Sequence, residues 1–195
     1  IHFAEQNGLV MELDLQMLRQ AIQDFCEIAD LNAKRWQLNV NASALSLNRR
    51  YIESLHTLIR GTALRSSQIC IEVTETALAD NYDEMLSVIK LLRQTGFHVA
   101  LDDFGTGYSS LKYLRELGCD YLKLDRELVN DIGRDNAARA LCKSAIDMAH
   151  VLDIAVIGEG VEDSDQLHLL EEMGCDFAQG YYLARPGDLS QIAFG

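Results

Sequence analysis

Carboxylates and amides recur along this 195-residue chain, each at the end of a short apolar run. Glu72 and Glu75 lie in and after Ile69-Cys70-Ile71, and Asp102-Asp103 follow Val99-Ala100-Leu101. Lys123 and Asp125 belong to Leu122-Lys123-Leu124-Asp125, and Glu159 and Glu162 follow Ala155-Val156-Ile157-Gly158. The first run ends at Asn41, with Ser43 just beyond it, and the last ends at Gln179. Oxygen donors without Cys or His suit a hard cation, Mg²⁺ or Mn²⁺, rather than zinc. Adjacent aspartates on one strand end could serve two ions, one shared and one terminal. Two ions about 3.5–4 Å apart suit phosphodiester cleavage, because they activate water and stabilise the leaving oxygen.

A bland reading competes at each position. A carboxylate after a strand is often only the N-cap of the next helix. Capping does not account for Glu72, which sits inside its strand. Alternation sends Cys70, Glu72 and Thr74 to one face and Ile69, Ile71 and Val73 to the other. A carboxylate facing an apolar interior is costly unless it is paired or metal-bound. Capping also fails for Lys123, which is enclosed by leucines and calls for an anionic partner. A simple ion pair with Asp102 or Asp103 would satisfy it.

Other chemistries find little support. The five histidines form no HExxH. The five cysteines are odd in number and form no CxxC, so a disulfide framework is not expected and a reducing cytosol fits best. Gly105-Thr106-Gly107-Tyr108-Ser109-Ser110 ends in Ser where a dinucleotide fingerprint needs Gly or Ala, and Gly158-Glu159-Gly160 lacks a third Gly. The net charge of −13 argues against nucleic-acid polymers and anionic membranes. A phosphate-containing ligand would need a local cation.

The elements that must position these residues read as strict alternation of helix and strand. Apolar spacing predicts helices over roughly 12–31, 52–59, 85–92, 109–117, 137–152 and 165–173, with Gly96, Gly118 and Gly174 as stops. Between them lie strands over 36–40, 69–73, 99–102, 121–124, 155–158 and 177–179. Such alternation predicts one α/β domain with a parallel sheet and helices outside it. The strand ends of such folds lie on one face, so the six segments converge there. Leu114-Arg115-Glu116-Leu117-Gly118-Cys119-Asp120-Tyr121 resembles Leu170-Glu171-Glu172-Met173-Gly174-Cys175-Asp176-Phe177, a weak repeat of one αβ corner.

Taken in order, Asn41-Ala42-Ser43, Glu72-Val73-Thr74-Glu75, Asp102-Asp103-Phe104-Gly105-Thr106-Gly107, Lys123-Leu124-Asp125, Glu159-Gly160-Val161-Glu162 and Gln179-Gly180-Tyr181 closely resemble the EAL-domain family of cyclic di-GMP phosphodiesterases. The resemblance runs along essentially the whole chain. It implies a (β/α)₈ TIM-type barrel and metal-dependent hydrolysis of cyclic di-GMP to linear pGpG. By resemblance, Asn41, Glu72 and Asp102 match ligands of a first ion, Asp102 bridges, and Asp103 and Glu159 serve a second. Lys123 matches the residue that contacts the attacking water and the phosphate, and Glu159 also matches a candidate general base. Glu162, Gln179 and Asp125 match residues that position the site or bind substrate. Glu75 matches the anchor of the Asp103–Ser110 loop, which in the family couples dimerisation to the site.

The family's Glu-Ala-Leu motif lies upstream of the stretch resembling Phe3-Ala4-Glu5-Gln6-Asn7-Gly8-Leu9. Residues 1–195 are therefore expected to be the C-terminal three-quarters of the barrel, about six βα units, alone weak or inactive. The first two strands, a metal-ligand Glu and a substrate-binding Arg would fall outside. Gly158 stands where Ala is more usual, a change expected to be harmless. The resemblance further implies a homodimer, a cytoplasmic domain whose parent could be membrane-anchored, and room for a fused GGDEF-type or sensory domain. The alternative function on the same fold is a non-catalytic cyclic di-GMP receptor or protein-interaction module.

Overall fold

The computed structural model describes residues 7–28, 36–76, 82–105 and 111–187. Helices and strands alternate as α1 (Val10–Ile28), β1 (Leu38–Asn41), α2 (Arg49–Ile59), β2 (Ile69–Thr74), α3 (Tyr82–Gln94), β3 (His98–Phe104), α4 (Leu111–Leu117), β4 (Tyr121–Leu124), α5 (Arg126–Asn130), α6 (Asn136–Val151), β5 (Ala155–Gly158), α7 (Ser164–Glu172) and β6 (Phe177–Ala178). The first strand is shifted two residues later at its start than the sequence predicts, and it includes Asn41. Helix α5 is unforeseen, because five residues are too few to show a helical period. Its signal is Asp125, which caps it by accepting from the Glu127 amide at 2.7 Å.

The chain packs as two compact units, one of residues 1–73, 80–99 and 187–195, the other of 74–79 and 100–186. In the first, β1 pairs parallel with β2, from Leu38 opposite Ile69 to Asn41 opposite Glu72. Helix α1 packs on α2 and on β1. It buries Leu18, Ile22 and Phe25, and α2 buries Tyr51, Ile52 and Leu55. That i, i+3/i+4 spacing is the one that predicts these helices. The side chain of Asn48 caps α2 by accepting from the Tyr51 amide at 3.1 Å.

In the second unit β3, β4, β5 and β6 pair in chain order, all parallel. Leu101, Leu122, Leu124, Val156 and Ile157 are buried, as strands covered on both faces require. Helix α6 packs on α5 and on β5, and its N-cap Asp135 accepts from Ala137 at 2.8 Å. Between Leu101 and Phe104 the pairing with β4 slips. Three steps along β3 match two along β4, which is a β-bulge. All five cysteines are free thiols, and Cys70, Cys119 and Cys142 are buried.

Asp176 joins three pieces of this unit. Its Oδ2 accepts from the Val156 amide on β5 at 2.7 Å and lies 2.8 Å from Nε2 of His150 near the end of α6. Burial pushes the carboxyl up, but the hydrogen bonds from His150 and the Val156 amide outweigh it and leave it below its usual value. A depressed carboxylate adds stability above its unfolded value near 4, and that stability is lost as pH falls through the lower folded value. Asp176→Asn is expected to cost about 1 kcal/mol at pH 7, since the pair is partly exposed and screened. The deficit should shrink below about pH 4, which chemical denaturation at pH 7 and pH 3 would measure.

Candidate functional site

The bulge in β3 sets the geometry of the Asp pair. In a regular strand, Asp102 and Asp103 would point to opposite faces. Here Asp103 takes a left-handed conformation, φ 56°, and its amide donates to Oδ1 of Asp102 at 3.0 Å. Asp tolerates that conformation better than most residues because its short polar side chain bonds locally. Both carboxylates consequently reach one cluster. One oxygen each from Asp102, Asp103 and Glu159 lies within 4.8 Å of the others.

Lys123 stands among them on β4. Its Nζ lies 2.9 Å from Oδ1 of Asp102 and 2.8 Å from Oε1 of Glu159. Lys123 is 3% exposed and Asp102 7%, so their ion pair is buried, and Glu159, just past the end of β5, extends it at partial exposure. The ion pair expected with Asp102 is present, and Glu159 extends it into a bridge. Asp103 sits at the edge of this charge balance. Burial, then the negative charges of Asp102 and Asp125, raise its pKa, while Lys123 opposes them and Glu75 adds to the rise. The cluster is thus over-supplied with negative charge relative to one lysine.

The neighbouring backbone is tied down. Asp125 donates its amide to the Phe104 carbonyl at 3.2 Å, and Glu159 donates to the Leu124 carbonyl at 3.1 Å. Glu75 Oε2 accepts from the Gly105 amide at 3.2 Å, the start of the loop that Glu75 is expected to anchor. The rest of that loop, 106–110, lies outside the described residues. Glu162 is exposed; its side chain pairs with Arg126, and its amide donates to Oε1 of Gln166 at 2.7 Å. Gln179 lies just past β6 and commits its backbone, donating to Gly158 O at 2.8 Å and accepting from Val161 N at 3.1 Å.

Asn41 and Glu72 belong to the other unit, where they are register partners. Glu72 is 5% exposed, and Oε1 accepts from Nδ2 of Asn39 at 3.0 Å. Asn39 was not foreseen; its signal is the period-two spacing Asn39-Val40-Asn41, which puts two amides on one face of β1. Arg126 and Gln166 were also missed, because their sequence positions on helices α5 and α7 say nothing of the loop they touch. At Gly158, an added Cβ would lie 2.7 Å from Cδ1 of Leu170. The usual Ala would meet the end of the Leu170 side chain, which can shift at small cost.

These donors fit a divalent cation. Three carboxylates supply hard oxygens in one place, and the rise in Asp103 comes from burial first and then from neighbouring negative charge, both of which a cation would offset.

Comparison with known proteins agrees in both sequence and fold. The EAL domain family model matches residues 1–186. The cyclic di-GMP phosphodiesterase NbdA of Pseudomonas aeruginosa is 36% identical over 193 residues, covering 98% of this chain and 25% of its own length. The bifunctional diguanylate cyclase/cyclic di-GMP phosphodiesterase MucR of the same organism is 31% identical over 190 residues, with 97% and 28% covered. The chain thus spans about a quarter of the length of these relatives. The solved PaMucR phosphodiesterase in complex with c-di-GMP superposes with a TM-score of 0.90 at 31% identity, covering 98% of this chain and 78% of that one. A manganese/cy-diGMP complex of Klebsiella pneumoniae BlrP1 gives a TM-score of 0.80 at 32% identity, covering 88% and 43%. The fold is α/β and TIM-barrel-like, as the alternation and the resemblance imply.

Proposed function

The chain belongs to the EAL domain family, and from that membership we propose that it is the hydrolytic module of a cyclic di-GMP phosphodiesterase. The observation that carries this reading is Lys123 held between Asp102 and Glu159 beside Asp103, a buried cation set into an acidic, metal-fitting cluster. Cyclic di-GMP is a dianion and the chain carries −13, so its phosphates need local cations to approach this surface. The name of NbdA and the nucleotide complexes of PaMucR and BlrP1 support the choice of substrate.

In this reading Asp102, Asp103 and Glu159 would hold Mg²⁺ or Mn²⁺, while Asn41 and Glu72, which belong to the other unit, match metal ligands by resemblance alone. Bound ions would lower the pKa of water and stabilise the leaving oxygen. The protein's own part is positional and electrostatic. Lys123 Nζ, an ammonium with three donors, is fixed in direction by Asp102 and Glu159 and contacts the attacking water and a phosphate oxygen. The water oxygen adds to phosphorus and one bond to a ribose 3′ oxygen breaks. That oxygen takes up a proton, and the ring opens to linear pGpG with a terminal phosphate. Glu75 holds the start of the loop after Asp103. Glu162, Gln179 and Asp125 orient the surrounding backbone and substrate.

A homodimer, and a fused GGDEF-type or sensory domain in a longer protein, belong to the same proposal. The bifunctional name of MucR supports the second. Among the described residues no helix is long and apolar enough to cross a membrane.

The test is a chromatographic assay of the full-length protein with cyclic di-GMP and Mg²⁺ or Mn²⁺, repeated with the metal chelated. Linear pGpG is expected only with metal. Nucleotide bound but never cleaved would replace the hydrolase with a receptor.

A further inference from the structure

Arg126 is the first residue of α5, directly after the Asp125 cap. Its guanidinium pairs with the carboxylate of Glu162. Its stem lies on the bare backbone of Gly160. A methyl added there would sit 2.4 Å from Cγ, 2.8 Å from Cβ and 3.0 Å from Cδ of Arg126. We infer that Arg126 is a positioning residue, which fastens the loop after β5 at Gly160 and Glu162 and so aims the Glu159 carboxylate.

The loop shows why such a fastening matters. Glu159 is anchored to β4 through its amide, Val161 to Gln179, and Glu162 to Gln166. Gly160 falls between the first two anchors in a left-handed conformation, φ +69°. Glycine has the widest backbone freedom of any residue, and it adjoins the residue that bridges to Lys123. A longer residue at 160 would remove that freedom, but it has no room beneath Arg126. The arginine stem supplies the missing restraint from outside, and the ion pair with Glu162 fixes where the stem lies.

An exposed ion pair contributes only about 0–1 kcal/mol to stability. Arg126 and Glu162 are both about half exposed, so the effect is expected in geometry rather than in global stability. Small misplacements of a reacting group lower rates far more than they lower melting temperatures.

The experiment compares wild type, Arg126→Met, which keeps a stem, and Arg126→Ala, which does not, all in the full-length protein. Hydrogen exchange at the Gly160 and Val161 amides should rise roughly three- to tenfold in Arg126→Ala and less in Arg126→Met. Amides of β4 and α6 should not change. In steady-state kinetics kcat should fall about tenfold with KM within about twofold. Adding Glu162→Gln to Arg126→Met should cost nothing further in exchange, because the two act as one pair. Unchanged exchange at 160–161 in Arg126→Ala would overturn the inference, and so would a uniform rise through β4 and α6. The kinetic arm rests on the function proposed above and the exchange arm does not. If wild type makes no pGpG, the hydrolase reading fails, while exchange still decides for or against Arg126.

Discussion

Lys123→Met is expected to lower kcat by on the order of 10²–10³-fold while tightening, not weakening, the binding of Mn²⁺. The two effects come from one geometry. Nζ is 2.9 Å from Asp102 and 2.8 Å from Glu159, so the lysine and the proposed divalent cation would draw on the same carboxylates. Methionine keeps most of the stem and the volume but removes the charge. In the proposed reaction the ion would then meet less repulsion, while the phosphate and the water would lose their fixed donor. Without metal, the variant should also be less stable by about 3 kcal/mol, because breaking a buried pair leaves carboxylates uncompensated. Added Mn²⁺ should recover much of that loss. Calorimetric titration and thermal melts with and without metal would measure both, and turnover equal to wild type would remove Lys123 from the reaction.

Gly180→Ala is expected to cost about 3 kcal/mol of folding stability, because the close neighbours of an added Cβ are backbone atoms. A Cβ at this position would lie 2.2 Å from both the nitrogen and the oxygen of Val161. Those are backbone atoms, and they cannot swing aside as a side-chain tip can. The close approach is what lets Val161 donate to Gln179 and accept from Tyr182, at 3.1 and 3.0 Å. Val161 is fully buried, so displacing it would carry Glu159 and Glu162 with it. Urea denaturation should show the loss, and Gly180→Ala should also lower activity by displacing those carboxylates. A midpoint unchanged from wild type would mean that the two segments are not packed this closely. By contrast, Gly158→Ala meets only the end of Leu170 and should be much milder.

The contrast between these positions shows what the sequence could reveal. Glu72 and Lys123 stand out because each places a charge inside a run of strand-forming apolar residues, which is costly without a partner. The alternation of elements was legible because amphipathic helices such as α1 and α6 run for 19 and 16 residues, long enough to display a period. The convergence of Asp102, Lys123 and Glu159 followed from strand ends in a parallel sheet. What could not be read are contacts between segments that share no local pattern. Gly180 against Val161, Arg126 over Gly160 and Asp176 between His150 and Val156 depend on where distant backbones pass each other. The bulge at Asp102-Asp103 was hidden for a related reason, since an extra residue in a strand shows only against its partner's register.

That bulge bears on how readily the domain could change occupation. Position 103 demands a residue that accepts a left-handed backbone, which admits glycine, asparagine and aspartate with little strain. Asparagine differs from aspartate by a single base in the codon and keeps the shape of the side chain. A lineage could therefore abolish one charge of the cluster in one mutational step, without disturbing the strand or its neighbours. Hydrolysis and simple nucleotide binding would then be adjacent in sequence space, separated by chemistry at one position rather than by refolding.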